Sequence, residues 1–449
     1  MTARFTSLAI SANHQSEKRE ELTVERAIAQ DITDAVDNAF ERQLEFTGDL
    51  IRCPSVRGNE LGIQERLEQE FVDRGLEVDR WRIDEEDIEN HAGFGPMTVP
   101  YDEDFNIVGT HRPTAVQGRS LILQGHVDVV PTGPLENWTT PPFEPRIDDG
   151  WLYGRGAGDM KAGLAANLFA FDAITSAGFS PAAPIHFQSV VEEESTGNGA
   201  LSTLLRGYTG DAVLIPEPEE NALVRTNVGV IWFTVRVEGT PSHVREMSQG
   251  FNAFDAANDV IADLRTLEAE WNDQKDRFLG FGDVDHPINF NVGQISGGDW
   301  PSSVPSWCEL AVRAAIYPGI EPEQAWEEIQ EHLRHASIAR RGQDSRLPRL
   351  ERTGFFAAGY RLEEGGEAEE VLGSAHQEMF GRPLQTFTTP GYLDGRVYTN
   401  FGGMPTLTYG PRSVDIHAFD ERVHIESVRN VTKTIALFIA QWCGLGPVR

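Results

Sequence analysis

His126 and Asp128 stand two residues apart in the run Leu121-Ile-Leu-Gln-Gly-His-Val-Asp-Val-Val-Pro131. The aliphatic residues around them read as a buried parallel strand, on which residues two apart face the same side. A buried strand keeps polar atoms only where they find partners. An imidazole beside a carboxylate is the arrangement that fixes the tautomer of a metal-ligating histidine. A hydrogen-bonded His/Asp pair inside an apolar core fits the same residues. Four further groups share the pattern. Asp159 closes a glycine-rich turn, Glu192, Glu193 and Glu194 follow one apolar run, Glu217 follows another, and His417 lies in Asp415-Ile-His-Ala-Phe-Asp-Glu421. Carboxylates with two histidines suit zinc or a related divalent ion. A glutamate triplet alone reads as a solvated charge run. The order and placement of all five groups make the sharper signal.

The elements that must position them alternate. Helical spacing of apolar residues predicts helices over 31–52 and 63–74, and strands over 76–83, 105–110 and 121–130. A helix over 161–177 follows the glycine-rich turn, then a strand over 185–191, a helix over 199–205 and a strand over 212–215. This order predicts an α/β domain with a mostly parallel sheet, and ligands gather at the carboxyl ends of such strands. Near residue 228 the pattern changes to strand, long helix, two strands and helix, a small α+β insert. Polar, basic residues 340–348 read as a hinge, after which the α/β pattern returns. The expected division is therefore a catalytic domain in two parts, 1–228 and 349–449, split by an insert over 229–348. Residues 1 to about 30 read as a loosely ordered arm.

Composition narrows the partners. The 449 residues exceed one ordinary core. The formal net charge of −32, from 70 acidic and 38 basic residues, argues against nucleic acid and anionic membrane as partners. No apolar run approaches the roughly 20 residues needed to cross a bilayer, and the short apolar patch over 5–10 reads as neither signal peptide nor anchor. Cys53, Cys308 and Cys443 are far apart and odd in number. They predict a reducing, cytoplasmic setting with neither a disulfide frame nor a thiolate metal site.

Five motifs together resemble the zinc metallohydrolase family of aminoacylase, carboxypeptidase G, acetylornithine deacetylase and succinyl-diaminopimelate desuccinylase. They are Gly125-His-Val-Asp-Val-Val-Pro131, Gly154-Arg-Gly-Ala-Gly-Asp-Met-Lys161, Glu192-Glu-Glu-Ser195, Glu217-Pro218 and His417-Ala-Phe-Asp-Glu421. The resemblance covers about residues 35–443, insert included. It implies two divalent ions per chain, zinc first and cobalt or manganese as alternatives. Asp159 would bridge them, His126 and Glu217 would complete one site, and Glu194 and His417 the other. Asp128 would orient His126, and Glu193 would be the general base. It implies a cis peptide at Asp159-Met160. It makes the insert a lid and dimerisation domain whose His243, in Gly239-Thr-Pro-Ser-His243, reaches the partner subunit's site to hold the oxyanion. Arg313 matches an arginine that binds the substrate carboxylate, and Arg396, in Gly391-Tyr-Leu-Asp-Gly-Arg396, is a second candidate anchor. Without the resemblance, His243 reads as a turn histidine and Arg313 as a salt-bridged strand arginine.

Two departures bear on the substrate. Ser302-Ser-Val-Pro305 stands where relatives often have an asparagine, and Tyr392 and Leu393 stand where many have small residues, which points to a less polar pocket. The expected protein is a homodimeric metal-dependent amide hydrolase acting on an N-acyl amino acid or similar small amide. Exopeptidase action, deamination of an aromatic amine, and a metal-stabilised binding protein without turnover remain as alternatives.

Overall fold

The computed structural model describes residues 25–103, 105–342 and 346–448. Six strands form the central sheet, in the order Glu77–Arg82, Phe105–His111, Ile185–Val190, Leu121–His126, Ala212–Ile215 and Thr406–Thr408. The last four run parallel, and the first two add antiparallel at one edge. Leu121–His126 is buried along its whole length, as an aliphatic run flanked by strands on both sides must be. Parallel strands end on the same edge. His126 is the last residue of its strand, the glutamate triplet starts two residues past Ile185–Val190, and Glu217 lies two past Ala212–Ile215. Three of the five groups therefore converge because the sheet is parallel.

Helix Ala162–Ser176 is apolar on nearly every face, so it is a core helix. It lies between Arg26–Ile51 and Ile425–Cys443, two amphipathic helices that shield it from water. Its first turn comes unusually close to the Glu217 segment. A Cβ on Gly163 would stand 2.2 Å from the carbonyl oxygen of Pro216, so only glycine lets the helix approach there.

The insert is a four-stranded antiparallel sheet, in the order Phe290–Gly297, Trp307–Ile316, Gly229–Glu238 and Arg349–Ala357. Helices Ala253–Asn272 and Pro322–Arg341 cover one face and bury Phe233, Val235, Leu264, Ile329 and Leu333. Residues of the opposite phase, such as Trp232, Thr234 and Arg313, face a cleft towards the central sheet.

Several expectations change. Arg349–Ala357 pairs with Gly229–Glu238, so the insert's sheet runs past the boundary expected at 348. The N-terminal helix begins at Arg26, inside the expected arm; the rest of that arm, 1–24, lies outside the described residues, as do 343–345 of the expected hinge. A small sheet absent from the sequence reading pairs Trp151–Tyr153 with Arg422–His424. It fastens the glycine-rich turn to the segment after His417. Among the described residues no helix is long and apolar enough to cross a membrane.

Gly163→Ala tests the close approach. Alanine in a helix interior is ordinarily worth about 1 kcal/mol of added stability. Here the overlap with Pro216 should reverse the sign and cost about 1–3 kcal/mol. Denaturant unfolding reads this directly, and an unchanged or raised midpoint would mean the helix has room to spare.

Candidate metal centre

His126 Nε2 lies 3.0 Å from Asp159 Oδ1, 3.7 Å from Glu217 Oε2 and 4.0 Å from Glu193 Oε2. The second oxygen of Asp159, Oδ2, lies 3.3 Å from His417 Nε2, and that nitrogen is 3.1 Å from Glu194 Oε2. Two groups thus share Asp159: His126, Asp159 and Glu217 on one side, and Asp159, Glu194 and His417 on the other. Within each group the candidate ligand atoms lie within 4.8 Å of one another. His126 with Glu193 and Glu194 forms a third, overlapping group. The peptide Asp159-Met160 is cis.

Each side chain is aimed by a local device. His126 Nδ1 lies 2.9 Å from the carbonyl oxygen of Asp128 and 3.5 Å from its Oδ1, which leaves Nε2 to face the cluster. The Asp128 carboxylate also accepts the backbone N–H groups of Glu193, at 3.3 Å, and Glu194, at 3.0 Å. It joins the His126 strand to the glutamate triplet. Asp159 is held through its turn by Glu421. That carboxylate accepts the N–H groups of Gly156, Gly158 and Asp159 at 2.9–3.0 Å and pairs with Arg155 at 2.7 Å, all in the interior.

The glutamate triplet is no solvated run; its members are turned apart. Glu192 has a left-handed backbone, φ 68°, uncommon for a residue with a side chain. Its carboxylate is fully buried and takes two bonds from Arg57, at 2.5 and 2.8 Å, with Tyr101 Oη at 2.6 Å and Thr196 Oγ1 at 2.8 Å. Glu193 and Glu194 line the cleft beside Asp159, Glu217 and His417.

The electrostatics fit a bound cation. Burial holds Glu193 well above the usual carboxylate range, against the pull of His126, with the charges of Glu217, Asp394 and Glu194 adding to it. Burial raises Glu217 to about 7, and its Oε1 is buried with no hydrogen-bond partner among the described residues. The Glu194 carboxylate drives His417 up to about 11. Each shift has the sign that a divalent cation among these groups reverses. Crowded buried carboxylates, two imidazoles and an orphaned oxygen are the donor set of a metal centre.

The proposed anchors part company. Arg313 lines the cleft, where its guanidinium donates to Asn289 Oδ1 at 2.5 Å and Pro390 O at 3.0 Å. Among the described residues it has no carboxylate partner, so the salt-bridged alternative falls away. Burial lowers its pKa to about 10. Arg396 does not reach the cleft. It is 1% exposed and donates to Tyr392 Oη, Gly93 O and Thr196 O, tying the loop at 93 to the rest of the domain. His243 is exposed on the insert, its Nδ1 accepting the N–H of Arg245 at 3.1 Å, and it is not among the residues lining its own chain's cleft. Sequence reasoning missed Arg57, Tyr101 and Asp394. Asp394 is buried against Gln124 Nε2 at 2.8 Å and Tyr392 Oη at 3.0 Å. Asp394 lies in the 391–396 stretch that carries the resemblance; Arg57 and Tyr101 carry no sequence signal of their own.

A parallel-sheet domain with a sheet insert, and carboxylates and histidines gathered at the strand ends between them, defines a metallohydrolase architecture. Residues 122–441 match the profile described as Peptidase family M20/M25/M40, and the chain belongs to that family of hydrolases acting on amide bonds. The N-formyl-4-amino-5-aminomethyl-2-methylpyrimidine deformylase of Halalkalibacterium halodurans is 31% identical over 365 residues, covering 77% of this chain and 84% of that protein. The succinyl-diaminopimelate desuccinylase of Thioalkalivibrio sulfidiphilus is 28% identical over 402 residues, 86% of this chain and 94% of that one. Among solved structures, the dipeptidase Dug1p of Saccharomyces cerevisiae superposes with a TM-score of 0.77 at 15% identity, over 92% of this chain and 98% of that one, a likeness of fold.

The clamp on the glycine-rich turn is testable. Glu421→Gln leaves Arg155 buried without its counter-charge, which should cost about 3–5 kcal/mol in denaturant unfolding. Because the same carboxylate holds Asp159, zinc titration should show affinity lower by about 10–100-fold. Unchanged affinity would show that the turn is held by other contacts.

Proposed function

We propose that this chain is a two-metal hydrolase that removes a small acyl group from an N-acyl amine. The observation that carries the reading is Asp159, whose two oxygens face His126 on one side and His417 on the other. In this reading His126, Asp159 and Glu217 would hold one ion, and Asp159, Glu194 and His417 the second. Divalent ions held there, zinc in the first instance, would supply Lewis acidity towards a water and a scissile carbonyl. Asp128 keeps His126 in the ligating tautomer. Glu193, beside the cluster and open to the cleft, takes the proton from the water and hands it to the departing amine. Arg313 donates to an anionic or carbonyl group of the substrate. The cleft, about 790 Å³, suits a small molecule. The names of the deformylase and desuccinylase relatives, both acyl-removing enzymes, support acyl transfer to water over other outcomes.

The protein acts as a homodimer joined through the insert. Phe290–Gly297 is an edge strand of the insert's sheet, exposed over most of its length. Val244, Met247, Phe254, Ile295 and Trp300 on the same insert are exposed apolar residues, which a second copy would cover. In that assembly His243 supplies the oxyanion donor to the partner's cleft. Three free cysteines support a cytoplasmic setting.

A screen of N-formyl, N-acetyl and N-succinyl amines, read by released amine, tests the reaction. Chelation should abolish release, and zinc or cobalt should restore it; full activity in metal-free protein would end the two-metal reading. Glu193→Gln is nearly isosteric but cannot accept the proton. Turnover should fall by about 10²–10⁴-fold in kcat, with a modest change in KM and metal content retained. Wild-type turnover in that variant would remove Glu193 from the mechanism.

Sharing of His243 is tested by complementation. A mixed dimer of one His243→Ala chain and one Glu193→Ala chain holds one site with both wild-type groups. Activity should return to about half that of wild type, although each parent dimer is inactive. A dead mixed dimer would show that each histidine serves its own chain.

A further inference from the structure

The cleft has two unlike walls. One is the acidic cluster at the strand ends. The other is the open face of the insert's sheet, where Trp232 stands directly opposite Arg313 in the pairing of Gly229–Glu238 with Trp307–Ile316. Residues paired across antiparallel strands project to the same face with adjacent side chains. On the other side of Trp232 the pairing with Arg349–Ala357 shifts register between Ile231 and Phe233. Such an irregularity re-aims side chains, and Phe355 lies edge-on to Trp232, with ring centroids 5.0 Å apart and planes at 87°. Tyr392, from the catalytic domain, meets Phe355 at 4.1 Å and 37°. Three rings from three segments thus form one continuous wall.

The backbone makes room for this wall. A Cβ on Gly354 would stand 2.8 Å from Trp232 Cε3 and 2.9 Å from the carbonyl oxygen of Ser195. The indole occupies the space that any side chain at 354 would need.

Charge decides what else the wall can take. Among the described residues, Arg57 and Arg313 are the arginines lining the cleft, and Arg57 is committed to Glu192. One guanidinium is left for a ligand on this wall. A substrate with several carboxylates would find a single cationic side chain for them away from the metal cluster. A flat ring stacks on aromatic faces without needing any.

We propose that Trp232, Phe355 and Tyr392 form a ring-binding subsite edged by Arg313, and that the amide this enzyme cuts carries a planar aromatic or heteroaromatic group. This rests on the amide-hydrolase reading above and names the substrate class for that same cleft. The ring lies against the insert's sheet while the amide reaches the acidic wall. Arg313 donates to a ring nitrogen, carbonyl or single carboxylate at the ring's edge.

The test compares pairs matched in size but not in planarity. N-formylbenzylamine is set against N-formyl(cyclohexylmethyl)amine, and N-benzoylglycine against N-cyclohexanecarbonylglycine, all with the zinc or cobalt enzyme. N-succinyl-diaminopimelate serves as the polyanionic comparison. The planar member of at least one pair should be favoured in kcat/KM by about tenfold or more, and the polyanion should be the poorest. In Trp232→Leu and Phe355→Leu that preference should collapse towards one. Gly354→Ala, which displaces the indole without removing it, should lower it too. Binding of the same amides to the Glu193→Gln holoenzyme, measured by calorimetry, gives a second readout independent of turnover. Equal rates within both pairs, a preference for the polyanion, or a planar preference that survives in both leucine variants would overturn the subsite. If no amide is cut yet planar members still bind selectively, the hydrolase reading fails and the subsite stands. If amides are cut without regard to planarity, the hydrolase reading stands and the subsite fails.

Discussion

The carboxylate of Glu421 is the hinge pin of this site. It is buried, paired with Arg155, and accepts the N–H groups of Gly156, Gly158 and Asp159 in the turn that ends at Asp159. A buried ion pair is weak evidence of net stability, because desolvation offsets most of its attraction. It is strong evidence of specification, since few other arrangements satisfy all its donors. Glu421 lies four residues after His417, and the strand that follows it, Arg422–His424, pairs with Trp151–Tyr153. One carboxylate therefore fastens a segment from beyond the insert to a turn from before it. Asp159 and His417 come together across 258 residues of chain through that fastening.

Much of the site was legible because a parallel sheet converts sequence order into proximity. His126, Glu194 and Glu217 each stand at or just past the end of an apolar run, and parallel runs end on one edge. The strand Arg349–Ala357 was hidden for a related reason. Its exposed first half is polar, and Gly354 and the register shift beside it interrupt the alternation by which a strand is recognised. The glutamate triplet shows a second limit. Identical residues in a row give no hint that one is spent inside the domain and two face the cleft. That division rests on a left-handed residue at 192 and on Arg57 and Tyr101, which come from irregular segments without periodicity.

The arginines make the same point from the other side. Arg313 and Arg396 were both carried to the substrate by resemblance, and only burial and partners separate them. Arg396 donates to two backbone carbonyls and a phenol oxygen, so its charge stabilises a loop. Among the described residues Arg313 has an amide and a single carbonyl for partners, and no carboxylate. An arginine that lacks a counter-ion in a half-buried position keeps an unmet demand for an anion or a strong acceptor. Sequence type cannot report that demand, because it depends on which carboxylates the fold brings near.

The insert owes two surfaces to the two-residue period of its strands. One phase packs under Ala253–Asn272 and Pro322–Arg341, and the other faces the cleft. The cleft-facing phase cannot be altered independently, since a shift of one residue in any strand would exchange core for cleft. This binds the chemistry of the pocket to the stability of the insert. Trp232 and Arg313 are held in register by the same ladder that holds Phe233 and Val312 in the core. The third ring, Tyr392, belongs to the catalytic domain, and its hydroxyl is anchored there by Asp394 and Arg396. The wall thus spans the junction of the two units, and any hinge motion between them must separate Tyr392 from Phe355 before it opens the cleft. A ring seated against both would favour keeping the two units together, which would couple substrate shape to their relative position through one set of contacts.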